Sequence, residues 1–221
     1  MSATSRSSAI SYGFSLLEVL VATALMLMLF GLIFAFLIPG MRTYALGSSQ
    51  AEMQQEATML LRNIADDLDL AVSTGVTVSP AVLSTPNNGP VYLAAMKIDS
   101  VNDKGQQIWE DALYVYYWEK PGAPVIRKKW TSTSLPSLGK SLSAPAHFSD
   151  SELAQIISEP SLAAKVMARD VSNFEVVGTA GSTWPQPPYN ITVEISRKAA
   201  TGKQDNEKFK LNRIFSLRNN Q

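Results

Sequence analysis

The sequence predicts an α+β protein in which a long amino-terminal helix, first membrane-spanning and then amphipathic, packs on an antiparallel β-sheet head. Three observations carry this. Residues 14–38 are a 25-residue apolar run with one ionisable side chain, Glu18. Residues 41–72 repeat apolar side chains at helical spacing. Beyond Gly75 the period becomes strand-like, with short runs rich in Val, Ile, Tyr and Trp between clusters of Pro, Gly and Asn.

The first element reads FSLLEVLVATALMLMLFGLIFAFLI. At about 1.5 Å per residue this helix is roughly 37 Å long, enough to cross a hydrocarbon core of roughly 30 Å with some tilt. A secretory signal peptide fits less well, because it needs a basic start and an apolar core of only about 7–15 residues. Here the start, MSATSRSSAISYG, carries Arg6 as its only charge, and the apolar run is longer. Arg6 before the span is balanced by Arg42 after it, so charge bias gives no orientation.

Pro39-Gly40 is expected to interrupt or kink the helix, since proline removes a ladder bond and glycine adds backbone freedom. Helical patterning then resumes. Leu46, Met53, Ala57, Leu60, Ile64, Leu68 and Ala71 recur at spacings of three, four and seven, while Glu52, Gln55, Glu56, Arg62, Asn63, Asp66 and Asp67 fall on other faces. Span and extension together make about 59 residues, roughly 88 Å if straight, a length that makes sense as a stem. The methionines Met26, Met28, Met53 and Met59 read as packing material rather than a metal or cofactor box. The expected boundaries are a leader at 1–13, the span at 14–38, the stem at 39–72 and the head at 73–221.

In the head, Val91 to Ile98 reads as a strand and Asp99 to Gln107 as a turn, followed by a second strand from Ala112 to Trp118. Both faces of that second strand are apolar or aromatic, which predicts a central position with the stem helix on one side. Pro121-Gly122-Ala123-Pro124 turns the chain into a strand at Val125 to Trp130. Residues 131–160 are mostly loop, with a short helix at Asp150 to Ser158 capped by Ser149 or Asp150. Ser161 to Asp170 suits helix and strand equally. The last hairpin is clearest: Ile191, Val193 and Ile195 alternate with polar residues, and after a turn at Ala199 to Asn206 comes Phe209 to Leu217.

Composition narrows the function. The 221 residues carry 19 basic and 19 acidic side chains, 46% hydrophobic and 17% charged residues, one His and no Cys. Zero net charge disfavours a dedicated nucleic-acid binder. Without Cys there is no disulfide framework, thiolate metal site or cysteine nucleophile, and with His147 alone no multi-histidine metal site. His147 leaves one possible Ser-His-acid arrangement, but most enzyme classes are disfavoured, and the reading is of a protein that is not an enzyme, with no catalytic residue, metal or cofactor assigned. Three local signals have ordinary explanations. Arg127-Lys128-Lys129 beside Trp130, with Lys208, Lys210, Arg213 and Arg218 later, suggests DNA capture, but charge protecting an exposed strand edge explains it better. Asp99, Asn102 and Asp103 offer oxygen ligands for calcium, yet their spacing is that of an ordinary turn. Glu110 and Asp111, adjacent on a strand, point to opposite faces and cannot flank one bond.

An acid inside a bilayer costs roughly 2.5–3.5 kcal/mol on the insertion scale, so Glu18 needs a partner or a purpose. It lies five positions beyond Gly13. Gly13-Phe14-Ser15-Leu16-Leu17-Glu18, followed by Val19-Leu20-Val21-Ala22, resembles the cleavage and methylation segment of type IV prepilins and type II secretion pseudopilins. The resemblance implies that a membrane prepilin peptidase cuts between Gly13 and Phe14 on the cytoplasmic side and methylates the new amine of Phe14. It further implies that Glu18, as mature position five, meets the amine of an adjacent subunit during assembly. A single-pass protein of the bacterial inner membrane follows, with its head on the periplasmic or extracellular side. Head length and the closing segment Lys-Leu-Asn-Arg-Ile-Phe-Ser-Leu-Arg resemble minor pseudopilins of the J type and W-type minor pilins, although this chain lacks the paired head cysteines of some members. The expected function is a minor subunit that initiates or caps a secretion pseudopilus or type IV pilus, with other pilins or pseudopilins as partners. The alternative is a filament-tip subunit whose head captures DNA or a secreted substrate.

Overall fold

The computed structural model describes residues 15–79, 89–133, 138, 142–179, 184–198 and 206–217. Its elements are α1 (Leu16–Leu68), β1 (Ala71–Ser79), β2 (Val91–Val101), β3 (Gln107–Trp118), β4 (Val125–Trp130), α2 (Asp150–Ser158), β5 (Ala164–Ala168), β6 (Val171–Thr179), β7 (Gln186–Lys198) and β8 (Asn206–Phe215). The fold is α+β, as expected. The chain divides into two compact units, Met1–Leu46 and Gly47–Gln221.

In the first unit every described residue from Leu16 onward is helical, and its apolar side chains face outward along the whole run, from Leu16 through Phe36 to Met41. This helix is long and apolar enough to cross a membrane, and none of that segment is buried. Its character is compatible with a single-pass anchor. The interruption expected at Pro39-Gly40 does not occur, because Pro39 lies inside a continuous α1. Proline withdraws a single N–H from the ladder, a small share of a helix of this length, and the Pro39 carbonyl accepts a hydrogen bond from Thr43 Oγ1 at 3.0 Å.

In the second unit α1 buries Met53, Ala57, Leu60, Leu61, Ile64, Ala65 and Leu68, the face that helical spacing selects. The helix ends at Leu68, short of the expected Val72. Ala71 and Val72 belong instead to β1, where Ala71 pairs with Lys97, and the Leu70 carbonyl accepts from the Ile98 N–H. Strand structure thus begins before Gly75, which lies inside β1, where a Cβ would press on the Met96 Cβ at 3.3 Å.

The head holds two antiparallel sheets where one was expected: a five-stranded sheet ordered β1-β2-β3-β4-β5 and a three-stranded sheet ordered β6-β7-β8. The switch happens at Arg169 and Asp170, the two residues between β5 and β6. Asp170 adopts φ of 53°, a left-handed conformation that aspartate tolerates better than most residues. The segment that suited helix and strand equally is β5, and β6 is a strand to which the periodicity gave no assignment.

β3 is the central strand of the larger sheet and is buried on both faces, as its composition predicts. One face sends Tyr116 and Trp118 into the main core with α1, β1, β2 and the inner face of the smaller sheet, including Phe174, Tyr189, Ile191 and Val193. The other sends Leu113 and Val115 against Trp130, Phe148 and the α2 residues Leu153 and Ile156. β2 and β3 extend further than expected, leaving a turn at 102–106 in which Asn102 Oδ1 accepts the N–H groups of Lys104 and Gln106 and Gly105 has φ of 77°. Helix α2 occupies the expected residues, and Ser149 is its cap, in a reciprocal capping box with Glu152.

Candidate functional site

Gly13 and Phe14, the expected cleavage junction, lie outside the described residues. Glu18 is described. It stands in the first turn of α1 at the third helical position, with Ser15 as the residue before the helix. The Ser15 N–H donates to Glu18 Oε2 at 2.9 Å and the Ser15 hydroxyl donates to the same oxygen at 3.1 Å. In return the Glu18 N–H donates to Ser15 Oγ at 3.2 Å. This is a capping box: two amide donors that a helix start leaves unpaired are satisfied reciprocally, and the carboxylate sits at the positive end of the helix dipole. Around it every side chain is apolar or small, with Leu16 85% and Leu17 73% exposed. Ser15 has no role of its own among the sequence expectations, although its spacing to Glu18, Ser-x-x-Glu before an apolar run, is the signal that finds it.

A second polar centre lies in the head, and the periodicity misplaces it. Asp67, assigned to a polar helix face, is buried at 2% exposure. Its carboxylate accepts from the Tyr116 hydroxyl at 2.6 Å, from Arg127 Nε at 3.0 Å and Nη2 at 2.9 Å, and from Lys97 Nζ at 3.1 Å. Four partner atoms on β2, β3 and β4 thereby fasten the end of α1 to the larger sheet. Burial, then the Asp67 charge, push the Tyr116 phenol far up, so it is a permanent donor. Burial works against the Arg127 cation, but Tyr116 and Asp67 outweigh it and raise its pKa.

The basic run on β4 is spent internally. Lys128 is 6% exposed and donates to the carbonyls of Ile157 and Glu159 at 2.7 Å each, closing the carboxyl end of α2. Burial pulls its pKa down, with Glu159 opposing. Lys129 bonds Glu110 at 2.9 Å. Burial alone would push Glu110 up, but the Tyr114 hydroxyl and Lys129 hold it below the ordinary carboxylate value. For this run the edge-protection explanation is corrected, because β4 lies between β3 and β5 and its cations serve internal partners, whereas Lys208, Lys210 and Arg213 lie on β8, an edge strand of the smaller sheet. Of the later basic residues, Lys208 pairs with Glu194 at 3.2 Å, Arg213 lies over the Phe215 ring, and Arg218 lies outside the described residues. Asp111 bonds Ser132 while its neighbour Glu110 bonds Tyr114, as opposite faces require. Asn102 Oδ1 is occupied by its own turn.

A third cluster joins the stem to the smaller sheet. Arg197 on β7 reaches Glu56 at 2.7 Å, Asp170 at 3.0 Å and Glu52 at 3.3 Å, and Glu56 also accepts the Arg169 N–H. Compared with known proteins, the chain matches no family model, no curated protein and no solved structure.

Proposed function

We propose that the chain is a minor pilin or pseudopilin, a structural subunit that initiates or caps a type II secretion pseudopilus or a type IV pilus after cleavage by a prepilin peptidase. One observation carries the reading. Glu18 is the sole ionisable side chain of the apolar run 14–38, whose described side chains are exposed, and it stands five residues beyond Gly13 in a segment that resembles the prepilin junction. The carboxylate caps its own helix start through Ser15, but an acid in a bilayer is costly, and capping alone does not explain its place five residues beyond Gly13. The layout of a long amino-terminal helix whose distal half enters the core of an antiparallel β head is consistent with a pilin-like arrangement. On this reading the protein works by assembly in the bacterial inner membrane, with other pilins or pseudopilins and the peptidase as partners, and has no catalytic residue of its own.

The alternative, capture of DNA or a secreted substrate by the head, drew for DNA on Arg127-Lys128-Lys129 together with Lys208, Lys210, Arg213 and Arg218, and each side chain of the first run is bonded within the head. That run therefore lends it no support. The test of the leading reading is intact-mass spectrometry of chain extracted from membranes of a host with an active prepilin peptidase. The expected mass is that of residues 14–221 with one added methyl group. Recovery of the full-length, unmethylated chain refutes the reading.

A further inference from the structure

Both hydrogen bonds that Glu18 accepts fall on one oxygen. Oε2 takes the N–H and the hydroxyl of Ser15, while Oε1 has no partner among the described residues. A carboxylate offers about four acceptor positions, so half of its capacity is committed to its own helix and half is open. In hydrocarbon an open acceptor is costly, which makes the free oxygen a strong attractor for a charged N–H donor.

We propose that Ser15 is a positioning residue: it grips Oε2 and thereby presents Oε1 to a cationic N–H donor on a neighbouring chain. This rests on the assembly role proposed for Glu18, for which the donor is a neighbour's amino-terminal amine. A glutamate side chain that turns freely must lose that freedom when it pairs, and Ser15 fixes it beforehand. The Ser15 hydroxyl is suited to this because it donates to the carboxylate while accepting the Glu18 N–H. The same bonds disperse the carboxylate charge over local donors while the subunit waits in the membrane.

Variants of the full chain at Ser15, expressed in place of the wild type, separate this role from simple helix capping. Ser15→Thr keeps the hydroxyl. Ser15→Gly loses it yet is almost as good at the start of a helix, and Ser15→Ala loses both functions. The readout is the fraction of processed chain that cross-links in intact cells to other processed subunits, with intact mass confirming cleavage. Thr is expected to match wild type, whereas Gly and Ala both fall by about fivefold, the equivalent of about 1 kcal/mol. In a Glu18→Gln background, Ser15→Gly is expected to cause no further loss, because Gly keeps the helix start and Ser15 acts through the carboxylate. Gly matching wild type, or Gly adding its full loss to Glu18→Gln, overturns the positioning role. Failure of the assembly reading itself is distinguishable, since Glu18→Val then cross-links as wild type does.

Discussion

Asp67 and Glu18 are carboxylates on one helix, and the sequence discloses only the second. Glu18 is legible because it is alone in an apolar run, where the cost of an unpaired acid demands a reason. Asp67 is hidden because helical periodicity assigns charge to the solvent face, and its partners Lys97, Tyr116 and Arg127 lie 30, 49 and 60 residues away in the chain. Asp67→Ala leaves an arginine, a lysine and a phenol without their acceptor in a buried setting. The expected loss is about 3–5 kcal/mol, with Asp67→Asn intermediate because its amide oxygen still serves Tyr116, measured by urea unfolding of a fragment covering residues 47–221. His147 provides a pH response. It stacks on Trp184 with ring centroids 4.9 Å apart, and burial pulls its pKa below the ordinary histidine value, the Val76 backbone hydrogen bond opposing. The unfolded chain binds a proton near pH 6.5 where the native state does not, so stability is full above about pH 6.5 and declines as pH falls toward the lower native pKa. His147→Gln should flatten that decline between about pH 7.5 and 5.5 in the same unfolding assay.

Among the elements, those with a clean period or a named turn are legible and those decided by distant partners are not. The α2 helix, its cap narrowed to Ser149 or Asp150, the β2–β3 pair, β4 and the β7–β8 hairpin follow from capping residues, aromatic runs and strict alternation. The end of α1, the strand β5 and the division into two sheets do not. Ala71 and Val72 are as acceptable to a helix as to a strand, and pairing with β2 decides the matter. Lys128 likewise reads as a surface charge until α2 closes over it. α1 contributes to the main core through Met53, Leu60, Leu61, Ile64 and Leu68, each no more than 1% exposed. At roughly 1.5–3 kcal/mol per buried side chain, their loss approaches or exceeds a total stability of about 5–15 kcal/mol. A fragment starting at residue 73 should therefore fail to fold where one starting at residue 47 gives a cooperative transition. Equal melting temperatures for the two would show that the helix adds nothing to the head.

At the scale of the molecule, the two units differ in what they do with apolar surface. The first exposes it along its part of α1, and the second encloses it in two clusters on either side of the larger sheet. An isolated surface of leucine, phenylalanine and methionine of that extent is unfavourable in water at roughly 25 cal/mol per Å², and favourable in a bilayer. The second unit has no such need: its core is covered, and the charges near it, from Asp67 and Arg127 to Glu56 and Arg197, are matched within it. The intact chain should accordingly stay in membranes through an alkaline carbonate wash and leave them only with detergent. A chain beginning at residue 47 should be released in the aqueous fraction and run as a single soluble species on size exclusion. Mutation of Leu25, Leu29 and Leu32 together to Asp should shift the full-length chain from the membrane pellet, because each carboxylate near mid-span costs roughly 2.5–3.5 kcal/mol of insertion. Retention of that triple variant in washed membranes would mean that the head, rather than the apolar helix, holds the protein there.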